Sequence, residues 1–178
     1  MNDNNFNITI IGAGIIGLAI AENLSRSNND ILVVEKEDSF GQHASSRNSE
    51  VIHSGFYYPS NSLKAKLCVS GNKMIYDFCH RYNVKGKRCG KLIVANSDFE
   101  LRDLDQIHNQ AIRNGLEDVR MLSQDEAKEI EPYVKCSKAL WIPSSGIMDT
   151  HGIMAKLENI CIQNDVSFAY KCSVNDIV

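Results

Sequence analysis

Three glycines near the start of the chain constrain its fold more than any other feature. Gly12, Gly14 and Gly17 follow the apolar run 8–11 and come directly before residues 18–28, whose composition is typical of a helix. A strand, a glycine-rich turn and a helix in this order are typical of a dinucleotide-binding βαβ unit, although glycines alone also occur in ordinary tight turns. We expect Gly12 to allow the turn, Gly14 to let a pyrophosphate approach the backbone, and Gly17 to let the helix pack closely on the strand.

An acidic residue follows at the position where such a unit uses one. The second apolar run, 31–34, is followed directly by Glu35. In dinucleotide-binding folds an acidic side chain at this point accepts hydrogen bonds from the adenosine ribose hydroxyls. The N-terminus of the preceding helix offers unpaired N–H groups and the positive end of its dipole to phosphates. The whole pattern therefore predicts a dinucleotide site.

Composition argues against several other classes of protein. The 178 residues carry a net charge of −3, which disfavours nucleic-acid binding because that function usually takes a basic surface. No apolar run approaches the ~18 residues of a membrane span, and Asp3, with no basic residue, precedes the first apolar run, unlike a signal peptide. The six cysteines form no C-x-x-C pair and no metal-ligand spacing, so we predict no metal site and reduced thiols. We expect a cytoplasmic protein and leave peripheral contact with the inner membrane open.

Hydrophobic periodicity predicts the remaining helices and strands. Helices are predicted over 62–83, 99–114 and about 152–163, the last capped by Asp149 or Thr150, and a short helix is predicted to open at the capping-box pattern 123–126. Strands are predicted at 92–95, 119–122, 139–142 and 166–170.

These elements predict a nucleotide-binding unit with an insertion. Strands 8–11, 31–34 and 166–170 are assigned to one doubly wound parallel sheet, and the residues between the last two are expected to form their own small sheet. The predicted division is 1–60 for the dinucleotide-binding part, 61–148 for an inserted α+β segment and 149–178 for the return to the first part. Because a doubly wound sheet usually has five or six strands, we expect the chain to be the front part of a larger protein.

The polar segment 41–55 leaves two interpretations open. If residues 45–53 are helical, Ser46 and His53 share one face, and Ser46 and Arg47 suit phosphate oxygens at its lower end. The alternative is a polar surface helix with a solvated histidine.

Several motifs resemble one family of flavoproteins. The glycine turn, the run S-S-R-N-S-E-V-I-H at 45–53 with its continuation to Pro59, and the block 62–71 resemble the FAD-dependent L-2-hydroxyglutarate dehydrogenases and oxidases. These belong to the wider group of D-amino acid oxidase-like and glycerol-3-phosphate dehydrogenase-like flavoproteins. Residues 145–149 also resemble the family's G-I-V-D turn, with Met148 in place of valine. The resemblance spans the whole chain but only the first part of the family's length.

The resemblance implies an α/β fold: a Rossmann-like FAD-binding βαβ unit with an inserted α+β segment, incomplete relative to the family. It implies FAD as the cofactor and oxidation of a small 2-hydroxy acid, such as L-2-hydroxyglutarate to 2-oxoglutarate. The implied site residues are Gly12, Gly14 and Gly17 at the pyrophosphate, Glu35 at the ribose, Ser46 and Arg47 on the phosphate and ribityl side, and His53 close to the isoalloxazine ring as the candidate catalytic residue.

Other functions remain open at this point. The chain could be one half of a split flavoenzyme whose C-terminal half is a separate partner chain, a non-catalytic remnant, or a free-standing nucleotide-binding module. Another FAD oxidoreductase of the same group is a further alternative. An NAD-dependent dehydrogenase is a weaker one, because it gives the segment 45–55 no role.

Overall fold

A computed structural model describes residues 5–27 and 30–177; Asp3, Asn28 and Val178 lie outside the described residues. The chain divides into two compact units, unit 1 within residues 1–49 and 149–178 and unit 2 within residues 50–148. The described strands are β1 (Ile8–Ile11), β2 (Ile31–Val34), β3 (Val51–Ile52), β4 (Gly86–Lys87), β5 (Lys91–Ala95), β6 (Arg120–Ser123), β7 (Lys138–Ile142), β8 (Gly146–Met148) and β9 (Ser167–Ala169). The described helices are α1 (Ile15–Ser25), α2 (Leu63–Tyr82), α3 (Asp98–Arg113), α4 (Gln124–Ile130) and α5 (Thr150–Gln163).

Unit 1 contains a parallel sheet in the order β1-β2-β9. Ile10 on β1 lies opposite Val33 on β2, which in turn lies opposite Phe168 on β9. Three of the four residues of β2 are buried, as expected for a strand inside a parallel sheet that helices cover. The predicted α/β fold, with a parallel sheet built from these three strands, is confirmed.

Two helices of unit 1, α1 and α5, pack against each other. Leu18 of α1 is fully buried, and the Cys161 thiol of α5 lies 3.8 Å from its carbonyl oxygen. Burial raises the pKa of this thiol to about 11. At the C-terminal end of both helices, the Asn164 side-chain amide donates to the Ser25 hydroxyl at 2.9 Å.

Helix α1 begins earlier than predicted. Gly14, with φ −75° and ψ 175°, is its N-cap, so the helix starts at Ile15 and includes Gly17 in its first turn. Because the predicted start at residue 18 counted all three glycines as turn, it was wrong by three residues; the predicted end at Asn28 falls outside the described residues.

Unit 2 contains two antiparallel sheets, β3-β8-β4 and β5-β7-β6, where a single small sheet was predicted. Strands β3 and β4 are two residues long each, too short to show an alternation of apolar and polar residues in the sequence. Helix α3 packs on β5 and β7. One hydrophobic cluster of unit 2 consists of Phe56, Ala95, Leu104, Ala111, Leu116, Val119, Leu140 and Ile142, and a second consists of Leu122, Ala127, Cys136 and Ala139.

The hypothesis that residues 45–53 form a helix is wrong. Residues Ala44–Ser46 form a single 3₁₀ turn, and Glu50 adopts a left-handed φ of +56° that no continuous helix accepts. The β-branched residues of β3 then pair with β8. Ser46 and His53 therefore do not share a helix face. One boundary between the units, 49/50, falls inside this segment rather than at the predicted 60/61, and the other falls at 148/149.

The predicted capping residues Ser123 and Asp149 are confirmed, although α5 begins at Thr150, two residues before the predicted start. Ser123 and Glu126 form both hydrogen bonds of a capping box at the start of α4, with backbone-to-side-chain distances of 2.7 and 3.3 Å. The Asp149 carboxylate, rather than Thr150, caps α5 by accepting from the Gly152 N–H at 2.8 Å. Among the described residues, no helix has both the length and the apolar character needed to cross a bilayer.

Candidate nucleotide-binding and substrate sites

The first glycine turns the chain out of β1. Gly12 has φ +102°, a left-handed conformation that favours glycine, and its N–H donates to the Val34 carbonyl at 2.8 Å. The turn is therefore tied to the end of β2. Next to it, Ala13 is fully buried and its carbonyl accepts from the Gly41 N–H at 3.0 Å.

At the second and third glycines, neighbouring atoms lie close to the position that a Cβ would take. A Cβ on Gly17 would overlap the Gly12 carbonyl oxygen, and a Cβ on Gly14 would lie 3.0 Å from the Ser45 hydroxyl. Since a backbone oxygen cannot move aside as a flexible side chain can, Gly17 is the stricter of the two. The predicted close approach of helix and strand at Gly17 is therefore present in unit 1.

The N-terminus of α1 has free hydrogen-bond donors. The Ile15 N–H donates to the Ser45 hydroxyl at 3.1 Å, and the Ala13 N–H to the Glu35 carboxylate at 2.8 Å. Within the described chain, no group accepts from the N–H of Gly14, Ile16 or Gly17. Free N–H groups at the positive end of a helix dipole suit phosphate oxygens.

Glu35 joins the glycine turn to the strand end. Each carboxylate oxygen accepts one backbone N–H, from Ala13 at 2.8 Å and from Glu37 at 3.0 Å. Partial burial raises the pKa of Glu35, but the backbone N–H groups of Glu37, Ala13 and Lys36 outweigh burial, and His43 adds to their effect. The pKa is therefore lowered below the ordinary glutamate value, and the side chain is a carboxylate at neutral pH.

A pocket of about 280 Å³ opens beside this carboxylate. Gly12 and Glu35 line one part of it, and His43 and residues 172–174 line another. Whole small-molecule sites commonly enclose roughly 300–1,000 Å³, so this pocket is large enough for only part of a dinucleotide. The His43 Nε2 lies 2.8 Å from the Glu37 carboxylate.

Neither Ser46, the last residue of the 3₁₀ turn, nor Arg47, which follows it, contacts the glycine turn. The Ser46 hydroxyl donates to the His43 carbonyl at 3.0 Å, and the exposed Arg47 side chain pairs with no other described residue. Ser45, which the sequence argument passed over, is the serine that contacts α1. Its neighbours are also serine and alanine, so no residue pattern distinguishes it.

His53 lies in unit 2, in an exposed position on a fixed backbone. Its carbonyl accepts from the buried Asn72 side chain at 3.1 Å, and the same amide donates to the Ser144 carbonyl at 2.9 Å. Partial desolvation lowers the pKa of His53, and the positive charges of Lys91 and Lys64 lower it further. The imidazole is therefore neutral at neutral pH, the form that can accept a proton.

The residues that follow His53 form a loop, 53–58, which side chains of α3 and its C-cap hold in place. The Asn114 amide donates to the Gly55 and Tyr58 carbonyls, both at 2.8 Å, and the Gln110 amide donates to the Tyr58 carbonyl at 3.1 Å. Sequence reasoning missed these amides because it treated them as the polar side of an amphipathic helix. The signal available for Asn72 was a polar residue among the apolar positions of α2.

Two lysines lie against the rings of this loop. The Lys64 ammonium lies 4.3 Å from the centre of the Tyr58 ring, and the Lys91 ammonium lies 6.0 Å from the centre of the Phe56 ring. Both distances are within the range of cation–π contacts. Lys64 is exposed and Lys91 is half-buried.

A parallel βαβ unit with a glycine turn, free helix N–H groups and a carboxylate at the second strand end defines a dinucleotide-binding protein. Comparison with known proteins agrees: residues 7–178 match the DAO family, described as FAD dependent oxidoreductase. The chain belongs to this family.

Similar proteins include L-2-hydroxyglutarate dehydrogenases. The mitochondrial enzyme of Arabidopsis thaliana is 47% identical over 148 residues, 83% of this chain and 31% of that protein. The human enzyme is 40% identical over 148 residues, 82% of this chain and 32% of that protein. The chain thus spans about a third of the length of these relatives.

Solved structures with the same fold are also longer than this chain. L-alpha-glycerophosphate oxidase from Mycoplasma pneumoniae with FAD bound matches with a TM-score of 0.87 and 30% identity, over 96% of this chain and 46% of that one. Glycine oxidase from Geobacillus kaustophilus matches with a TM-score of 0.86 at 22% identity, over 97% of this chain and 48% of that one, and supports the fold alone.

Proposed function

We propose that this chain is the FAD-binding portion of an oxidoreductase that converts a 2-hydroxy acid to a 2-oxo acid, of the L-2-hydroxyglutarate to 2-oxoglutarate type. The observation that carries the proposal is the 40–47% identity to enzymes named for that substrate, over more than four fifths of this chain. The chain covers about a third of the length of those enzymes, so the proposal is made for the FAD-binding portion.

We assign the cofactor to unit 1. The free N–H groups of Gly14, Ile16 and Gly17 hold the pyrophosphate, and the Glu35 carboxylate, which keeps lone pairs beyond its two backbone donors, accepts from the ribose. Ser46 and Arg47 are assigned to the phosphate and ribityl side; the unpaired Arg47 guanidinium supports this role. When bound, FAD supplies the acceptor for the hydride that leaves the substrate.

We assign the hydroxyl proton of the substrate to His53. Its lowered pKa keeps Nδ1 or Nε2 free to accept a proton at neutral pH, and Asn72 holds its backbone. The Asn114 hydrogen bonds restrict movement of the loop that carries it. A held, neutral histidine is the feature of unit 2 that fits proton removal.

The first experiment is a visible absorption spectrum of the purified chain loaded with FAD, before and after anaerobic addition of L-2-hydroxyglutarate. We expect bound flavin in the unmodified chain and none in Gly14→Val, whose side chain would meet the Ser45 hydroxyl and fill the pyrophosphate site. A chain that binds no FAD would contradict the proposal.

The same spectrum separates the catalytic alternatives. Bleaching of bound flavin by the hydroxy acid would show turnover by this chain alone. Flavin that stays oxidised would favour one half of a split enzyme, and bleaching after addition of a separate C-terminal chain would support that arrangement over a non-catalytic remnant. The cytoplasmic location stays a prediction.

A further inference from the structure

We propose that Lys64 and Lys91 form, with His53, a carboxylate-recognition cluster in unit 2 that selects a dicarboxylic over a monocarboxylic hydroxy acid. The inference rests on the proposed function and adds the residues that bind the carboxylates of the substrate. It assigns the lysines to specificity and leaves proton transfer to His53.

The first support is that one short loop gathers all three groups. Phe56 and Tyr58, the rings under the two ammoniums, belong to the same loop as His53 and are buried, at 5% and 9% exposure. The Asn114 amide holds that loop through two backbone carbonyls. The two ammoniums are therefore placed against rings of the loop that also carries His53, and both lysines lower the pKa of that histidine.

The second support is that these positive charges are not neutralised. Among the described residues, no carboxylate lies within 4.0 Å of either ammonium. Tyr58 does not supply a negative charge either, because its hydrogen bond with Tyr57 and its burial raise the pKa of its hydroxyl to about 12. Two cations without a carboxylate partner, held against the loop that carries His53, match the two charges of a dicarboxylate.

The third support is that the position of Lys64 is unfavourable for the helix that carries it. Lys64 lies in the first turn of α2, and that turn contains no acidic residue. A cation near the positive end of a helix dipole is unfavourable. A local electrostatic conflict of this kind is expected at functional sites, where an anionic ligand relieves it.

The test uses Lys64→Gln and Lys91→Gln, with Lys66→Gln as the matched control, because Lys66 is exposed in the same turn of α2 and contacts no ring of the loop. The His53 imidazole is followed by NMR, assigned with His53→Gln, while glutarate or butyrate is added to the FAD-loaded chain. We expect glutarate to shift the His53 signals and to bind at least fivefold more weakly to either variant. Butyrate should bind weakly to all, and Lys66→Gln should behave as the unmodified chain.

Lys64→Arg keeps the charge and should restore glutarate binding; it also shows whether any loss in Lys64→Gln comes from misfolding. The cluster would be overturned if glutarate left the His53 signals of the unmodified chain unaffected, or if it bound Lys64→Gln and Lys91→Gln as tightly as the unmodified chain. Bound flavin is measured in the same samples. A chain that binds FAD but not glutarate would contradict only this inference. A chain that binds no FAD would contradict the proposed function.

Discussion

The glycine turn of unit 1 and the loop 53–58 of unit 2 are both held in a defined conformation, but by opposite means. In the glycine turn, Gly12 bonds to the Val34 carbonyl of the adjacent strand, and Gly17 leaves room that a neighbouring backbone oxygen fills. In the loop, Asn72 and Asn114 reach across from helix α2 and the end of helix α3 to hold backbone carbonyls. The turn depends on the absence of a Cβ at Gly17, whereas the loop depends on the side-chain amides of Asn72 and Asn114.

This difference predicts how each region responds to mutation. The turn should be sensitive to added atoms, since its packing leaves no space for a Cβ at Gly17. The loop should be sensitive to removed atoms, since buried carbonyls that lose their donors remain desolvated. The following substitutions test this contrast, in order of decreasing effect.

Gly17→Val should have the largest effect. Its side chain would overlap the Gly12 carbonyl oxygen, so β1 and α1 must separate. We expect destabilisation of unit 1 at the upper end of the about 1–3 kcal/mol typical of overpacking, together with loss of FAD binding. Urea unfolding and flavin fluorescence measure the two effects.

Gly71→Ala is the matched control for this substitution. Gly71 lies within helix α2, and a Cβ there would meet nothing within 4 Å. Because glycine is less favourable than alanine inside a helix, we expect stabilisation by about 0.5–1 kcal/mol. If Gly17→Val unfolds no more easily than Gly71→Ala, the close approach at Gly17 is not required.

Asn114→Ala should be the most damaging change to the loop. It removes one hydrogen-bond donor from the Gly55 carbonyl and one from the Tyr58 carbonyl. The Tyr58 carbonyl still accepts from the Gln110 amide. An unsatisfied buried carbonyl costs about 1–3 kcal/mol, so we expect a loss of about 2 kcal/mol in unit 2, measured by urea unfolding.

Asn109→Ala, at an exposed position of α3, is the comparison for Asn114→Ala and should change stability by less than about 0.5 kcal/mol. Retained FAD binding in Asn114→Ala would show that the loss of stability is confined to unit 2. Equal stability of the two variants would mean that the Asn114 amide does not hold the loop.

The same contrast explains which features could be predicted from sequence. The strands β1, β2 and β9 and the roles of Gly12 and Gly17 in the turn follow from local patterns, because backbone geometry there depends on residue type and short spacing. The capping serine of α4 follows for the same reason.

What could not be predicted depends on contacts between distant residues. Asn72 and Asn114 bond to carbonyls far away in sequence, and no spacing rule marks them. The helix expected over 45–53 failed because pairing between β3 and β8, 94 to 96 residues apart in sequence, overrides local helical spacing. Ser45 was missed because its contact with Ile15 is also long-range.

Glu35→Gln tests a charged side chain that holds the turn. The pKa of Glu35 is lowered in the folded chain, so its contribution to stability is present above the ordinary glutamate pKa and is lost as the pH falls through the folded value. A glutamine still accepts one hydrogen bond. We therefore expect a loss of about 1 kcal/mol at neutral pH, the difference between a charged and a neutral acceptor.

Urea unfolding of both proteins between pH 7 and pH 3 measures this effect. The difference between unmodified chain and Glu35→Gln should shrink towards the acid end of the range. A difference that stays constant with pH would show that the Glu35 carboxylate is not the acceptor of the Ala13 and Glu37 N–H groups.

Ser45→Ala should have the smallest effect, because it removes a single hydrogen bond at the partly open N-terminus of α1. Water can replace the serine at the Ile15 N–H, so we expect a loss of only about 0.5 kcal/mol. The freed N–H adds a donor to those already free at Gly14, Ile16 and Gly17, so FAD affinity should change by less than threefold. Ser49→Ala, exposed and outside the turn, is the control. A loss well above that of Ser49→Ala would mean that a second side chain, besides Glu35, determines the conformation of the glycine turn.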